Sequence, residues 1–270
     1  MSDFYFNKVL QDDSSLYFSV RKLKPNVREA VTAVMAFYKE IEDITLNYKD
    51  LTVAQAKLHW WRNEVIKIQD GKPDHPIALK LQHCLRLLHI SPLRFMDMID
   101  GLEQNLAFLR FEKFEDVVIH IMRTAGKREL LIADILLGKE QVETEVIYQF
   151  ALVIELTHYI QHLRRYVQCG LIYFSEDELQ TYQVAEMQLQ NYVTTDAIRQ
   201  LLAFQAEKIE RSYFKAQQSL SPQTSLLLSN LIIRSKIARA NLKEIAKANY
   251  TVLESFIRIT PLRCWWIANF

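Results

Sequence analysis

The chain has 270 residues, 50% of them hydrophobic and 24% charged, with a formal net charge of +1. That length is enough for a sizeable core, and the near-neutral balance argues against a nucleic-acid partner, which normally goes with a strong basic excess. No apolar run approaches the roughly 18 residues of a membrane-spanning helix, so no transmembrane span is expected.

Only 5 glycines and 6 prolines interrupt the sequence, fewer than the usual frequencies of about 7% and 5%, and long 3.6-residue periodicities run between them. An all-α chain is expected. MSDFYFNKVLQDD has the pattern of neither a secretory signal nor a transit peptide and reads as an arm or short helix over residues 1–13. SSLYFSVRKLKP is a second short helix that stops before Pro25. From Asn26 to about Asn47, Ala30, Ala33, Val34, Phe37, Ile41 and Ile44 form an apolar stripe. Lys49 and Asp50 mark a turn, and Thr52 with Gln55 forms a capping box for a helix through Ile68. Asp70-Gly71-Lys72-Pro73 is a loop, after which His75-Pro76 and Ser91-Pro92 open two further helices. A helix over residues 114–137 stops at Gly138.

The helix over residues 143–168 is the one the rest is organised around. It ends at Gly170, a left-handed stop, and an extended exit through Leu171, Ile172 and Tyr173 leads to Ser175. Ser175 and Glu178 are a second capping box, for a helix to about Ala185. Residues 187–195 read as irregular. Helices are expected at about 196–220 and 222–248, a short one at 250–259, and then the tail PLRCWWIANF. No linker rich in Ser, Gly or Pro appears, so residues 1–270 read as one domain.

Glu155, His158, His162 and Tyr166 recur at i, i+3, i+7 and i+11 and therefore share one face of the organising helix. Glu155-x-x-His158 is half of a helical di-iron pattern, but the sequence has no second Glu-x-x-His, so a polar stripe facing a cavity or solvent is expected and no bound metal. Glu40, Glu42 and Asp43 cluster on the helix over residues 26–47, either as a solvated face or as a weak Mg²⁺ site. Trp60 and Trp61 read as core, and Arg62 as a partner for a carboxylate. Lys127-Arg128-Glu129 is either a surface face or charge pointing into a cavity, and Arg164-Arg165 either a solvated face or an anion contact. The isolated glycines exclude a Gly-rich phosphate loop, and no nucleophile elbow is present. Three unclustered cysteines suit a reduced, cytoplasmic chain.

Taken in order, these segments resemble the squalene/phytoene synthase family over roughly residues 14–267. The carriers are SSLYFSVRKLKP; Arg28, Ala30, Ala36, Phe37 and Asp43; Trp61, Arg62 and Glu64; His75-Pro76; IDGLEQNL, with Asn105 where Asp is usual; Ala125-Gly126; and Thr157, Gly170 and Tyr173. The resemblance implies an all-α isoprenoid-synthase fold around a central cavity, in which two prenyl diphosphates are joined. It also implies two facing Asp-x-x-x-Asp clusters whose carboxylates hold Mg²⁺. Here the first cluster is represented by Glu42, Asp43 and Leu46, and the second by His158, His162 and Tyr166. These departures resemble the family's non-catalytic branch, which includes the phytoene-synthase-like assembly factor of mitochondrial respiratory complex I.

The expectation is therefore a catalytically silent protein without cofactor, binding a protein partner or an isoprenoid or phospholipid through Arg62, Arg164, Arg165 and Tyr173. Peripheral attachment at the inner membrane face is compatible with that reading. The alternative is an active prenyltransferase with an altered Mg²⁺ site.

Overall fold

The computed structural model describes residues 6–7, 9–10, 14–47, 50–107, 110–138, 140 and 142–270. Much of the arm expected over residues 1–13, and Lys49 of the expected turn, lie outside the described residues. Among those that are described there is no strand.

The helices are α1 (Ser14–Val20), α2 (Pro25–Asn47), α3 (Leu51–Asp70), α4 (Pro76–Leu88), α5 (Arg94–Glu103), α6 (Phe114–Ile121), α7 (Lys127–Leu137), α8 (Thr144–Gln161), α9 (Leu163–Gln168), α10 (Glu176–Thr181), α11 (Glu186–Gln190), α12 (Asp196–Gln218), α13 (Pro222–Leu227), α14 (Ser229–Lys247) and α15 (Pro261–Asn269). α8 is the centre. Thirteen of its 18 residues are buried, as expected of a mostly apolar helix at the centre of a bundle. It packs against α12 and α14, and through α7 it is linked to α2. α4 lies on α2, α1 lies on α14, and α15 covers α1 and α14.

Several ends follow local rules. Gly71 closes α3 with φ 82°, the left-handed conformation glycine adopts without a Cβ penalty. Ser175 and Glu178 form the expected capping box. Asp50, not Thr52, caps α3: its carboxylate accepts from the N–H groups of Thr52 and Val53. The expected helix over residues 114–137 is interrupted by a π turn at Met122–Gly126, against which α5 is pressed. A Cβ on Gly101 of α5 would stand 2.5 Å from the Arg123 carbonyl oxygen, so only glycine fits there.

Other boundaries differ from the sequence reading. The helix expected over residues 143–168 breaks at His162, whose φ of −106° leaves the helical range, giving α8 and α9. The helix expected at 222–248 breaks at Leu228, and the one expected from Ser175 to Ala185 stops at Thr181. Residues 187–195 are not wholly irregular, since α11 occupies 186–190. Residues 250–259 form turns and bends instead of a helix, and the tail is itself helical: Thr260 accepts from the Arg263 N–H and Pro261 takes the first turn.

Candidate functional site

A cavity of about 500 Å³ lies between α2, α7, α8, α9 and α14, with residues 256 and 258 at one side. Its volume falls in the range of small-molecule sites. α2 contributes Met35, Tyr38, Lys39 and Glu42; α8 contributes Ile154, Glu155, Thr157, His158 and Gln161. The polar stripe of α8 thus faces the cavity as far as the break at His162, which also lines it.

Five cationic side chains stand on the wall, Lys39, Arg128, Arg165, Arg234 and Arg258, against two carboxylates, Glu42 and Glu155. Lys39 bonds Glu42 at 2.9 Å and Asp43 at 3.0 Å. Arg165 reaches Asp43 at 3.4 Å. Deeper, Glu129 lies between Arg128 and Arg234, 2.7 Å from each, and Arg128 also approaches Glu155 at 3.3 Å. The Arg128 guanidinium covers the Tyr38 ring at 4.3 Å. Burial disfavours the charge on Glu42, but Lys39, with His158 and Arg128 behind it, overcomes that and holds the carboxyl at about 2. Burial likewise opposes the charge on Glu129, and Arg234 and Arg128 bring its carboxyl below the usual range. Two buried polar atoms at the wall, Thr157 Oγ1 and Arg234 Nε, have no hydrogen-bond partner among the described residues.

The positions of the second cluster carry no carboxylate. His162 is neutral: burial, then His158 and Arg165, push it down to about 3. Its ring lies 4.9 Å from that of Phe256 and 4.3 Å from that of His158. Tyr166 is buried behind His158, its hydroxyl 3.4 Å from Nδ1, and burial, with Glu42 and Glu155, raises its phenol. Leu46 is buried and its carbonyl accepts from the Cys169 thiol.

These residues do not fit the set of Mg²⁺ ions implied by the resemblance. Such ions need several carboxylate oxygens, and here Glu42 and Asp43 are already satisfied by cations while positions 46, 162 and 166 offer none. One smaller grouping does form. Glu42, Glu155 and His158 each present a ligand atom within 4.8 Å of the others. The sequence stripe lacked a partner on a second helix, and α2 supplies it through Glu42.

The other candidates fall elsewhere. Arg165 lines the cavity, but Arg164 does not: it stacks on Tyr192 and donates to the Leu253 carbonyl. Arg62 lies outside it, bonded to Asp100 at 2.6 Å and Glu103 at 2.7 Å. Tyr173 is buried beneath the site, donating its hydroxyl to Asn105 and its N–H to the Tyr159 hydroxyl. Trp61 is core, whereas Trp60 is 43% exposed. Arg128 and Glu129 point inward, while Lys127 pairs with Asp97 at the surface. Sequence reasoning missed Lys39, Arg234 and Arg258. Lys39 had a signal, its i+3 and i+4 spacing to Glu42 and Asp43; Arg234, 105 positions from Glu129, had none.

The profile of the squalene/phytoene synthase family matches residues 9–265. The chain is 22% identical over 213 residues to the 15-cis-phytoene synthase of Synechocystis sp., a match covering 74% of this chain and 63% of that protein. It is 20% identical over 233 residues to the chloroplastic phytoene synthase 2 of Solanum lycopersicum, covering 83% and 75%. Among solved structures it is similar to a dehydrosqualene synthase in complex with ligand, with TM-score 0.84, 18% identity and 99% and 93% of the two chains covered. It is also similar to the squalene synthase HpnC from Alicyclobacillus acidocaldarius, with TM-score 0.77, 15% identity and 92% and 94% coverage. These likenesses show an all-α isoprenoid-synthase fold.

Proposed function

Because the chain belongs to the squalene/phytoene synthase family, we propose that it keeps the family's cavity and has given up metal-assisted condensation. It binds one isoprenoid with an anionic head, the head meeting side-chain cations directly. The observation that carries this reading is the occupation of the acidic sites. Lys39 holds both carboxylates of the first cluster, and neutral His162 and Tyr166 stand at the second. A wall with more cations than carboxylates attracts an anion without an imported ion. Arg165, half-exposed, and Arg258, exposed, are cations of the cavity wall that can meet the head as it enters. A ligand with a long apolar chain resides in bilayers, so attachment to a membrane surface belongs to the same reading.

The test is release of inorganic diphosphate, with product extraction, from farnesyl or geranylgeranyl diphosphate with and without Mg²⁺, beside direct binding in the presence of a chelator. No turnover is expected, with binding unchanged by the chelator and weakened by Arg165→Ala. Mg²⁺-dependent turnover abolished by Asp43→Ala would overturn it.

The grouping of Glu42, Glu155 and His158 favours a second reading, a prenyltransferase that holds a single divalent ion there. Against it, Glu42 is bonded to Lys39 and Glu155 to Arg128. Turnover lost in both Glu155→Gln and His158→Ala would select this reading over the first.

A further inference from the structure

α15 leaves one apolar face uncovered. Cys264 and Ala268 are buried, and with Ile233, Ile237, Ala240 and Ile259 they form a small core of their own. The opposite face carries Leu262, Trp265, Trp266 and Phe270, which are 74%, 43%, 59% and 79% exposed. Their spacing of three and four residues puts them on one side of the helix. The Trp266 and Phe270 rings stand 6.0 Å apart and those of Trp265 and Phe270 6.1 Å, so the patch is continuous.

The surroundings are basic. Lys236, Lys243 and Lys247 recur at i, i+7 and i+11 on α14, beside the stripe of Ile233, Ile237 and Ala240 that packs on α15. All three are exposed, and Lys236 and Lys243 make no ion pair among the described residues. Arg263 stands at the edge of the aromatic face, and its partner Glu244 also serves Lys247. On α1, against which α15 also packs, exposed Tyr17 lies beneath Arg21.

We infer that this face is a docking surface for an anionic phospholipid bilayer. Tryptophan is an amphipathic ring that settles at the headgroup level, and lysines around an apolar helix face add attraction to acidic lipids. A protein partner would gain little from three lysines in a row unless it were itself strongly acidic. The position of the face adds to the case. Phe256 and Arg258, on the segment leading into α15, line the cavity, and Phe256 is 53% exposed. The bilayer surface would therefore meet the protein beside the cavity rim, where a prenyl chain could pass from lipid to cavity without crossing water. This deepens the proposed function and rests on it only for the identity of what passes.

The experiment is flotation of the full chain with vesicles of phosphatidylcholine alone or with phosphatidylglycerol, with tryptophan emission recorded. Binding is expected for the acidic vesicles only, weakening as salt is raised, with a blue shift and with quenching by brominated acyl chains. Trp266→Ser with Phe270→Ser should lower vesicle affinity about tenfold or more, since two large apolar side chains no longer insert. Lys236→Glu with Lys243→Glu should abolish the preference for acidic lipid. Both pairs are exposed, and an unchanged melting temperature confirms that they fold. Binding of soluble geranyl diphosphate, measured without vesicles, should be the same in the wild type and in both variants, so loss of that binding in the wild type would count against the cavity reading alone. No binding to acidic vesicles, equal binding by all three proteins, or a dimer in solution that Trp266→Ser dissociates would overturn the bilayer surface.

Discussion

Glu129→Gln isolates the charge at the floor of the cavity. Glu129 is 0% exposed, Arg234 1% and Arg128 4%, and the two cation–carboxylate contacts are both 2.7 Å. The amide keeps the shape and removes the charge. Arg128 retains Glu155 at 3.3 Å, whereas no other ion pair reaches Arg234 among the described residues. Removing one partner of a buried pair costs about 3–5 kcal/mol. Over 270 residues the unfolding entropy near the midpoint is about 570 cal/mol/K, so the melting temperature should fall by about 5–9 °C. The assay is thermal unfolding by circular dichroism. Replacing all three residues with Met, Leu and Met should cost less than the single change, because no charge is left stranded. The acid limb gives a second readout. Glu129 has a lowered folded value, so its contribution is complete above the unfolded carboxylate value of about 4.3 and is lost as pH falls through the folded one. Glu129→Gln should flatten that loss. A melting temperature within about 1 °C of wild type at pH 7, with an unchanged acid limb, would refute the buried triad.

His162→Phe should keep the contact with Phe256 and remove a second acid-sensitive group. The folded value of His162 is about 3 against about 6.5 unfolded, so its contribution is complete above pH 6.5 and is lost toward pH 3; the variant's stability should fall less over that interval in chemical denaturation at stepped pH. The combined variant Leu46→Asp, His162→Asp and Tyr166→Asp should show no diphosphate release with Mg²⁺ and should melt well below wild type. Positions 46 and 166 are 8% and 3% exposed, and Arg128 and Arg234 still stand at the wall.

The centre of the fold was legible because α8 is apolar around most of its circumference, with a single polar stripe, a pattern that a buried helix beside a cavity tolerates. The glycine stop at Gly170 and the box of Ser175 and Glu178 were legible because both act within a few residues. Capping at Asp50 had a signal, since Asp ranks above Thr as an N-cap, but the Thr52–Gln55 spacing of a capping box was read in its place. The helix at 261–269 had its signal in Thr260-Pro261, which the reading of PLRCWWIANF as a tail passed over. For the site, the stripe from Glu155 to His162 was visible by its period, but the break at His162 was not. Arg234 gave no signal in the sequence. Its burial depends on Glu129, on a different helix, and no local pattern encodes that pairing.

On the function proposed above, charge is what separates this cavity from one that works through metal ions. An imported divalent cation has to displace whatever already neutralises the carboxylates. Lys39 sits within 3.0 Å of both carboxylates of the first cluster, and being covalently attached it competes at a high effective concentration. The second cluster has nothing for an ion to displace. An anionic head entering the same space meets Arg165 at the rim and, farther in, a wall on which cations outnumber carboxylates. Each cation it approaches is already held in place by a neighbouring carboxylate or ring, which lowers the ordering cost of binding, and the head shares those cations with the carboxylates that hold them. On that reading the side chains that disfavour the ion are the same ones that meet the anion.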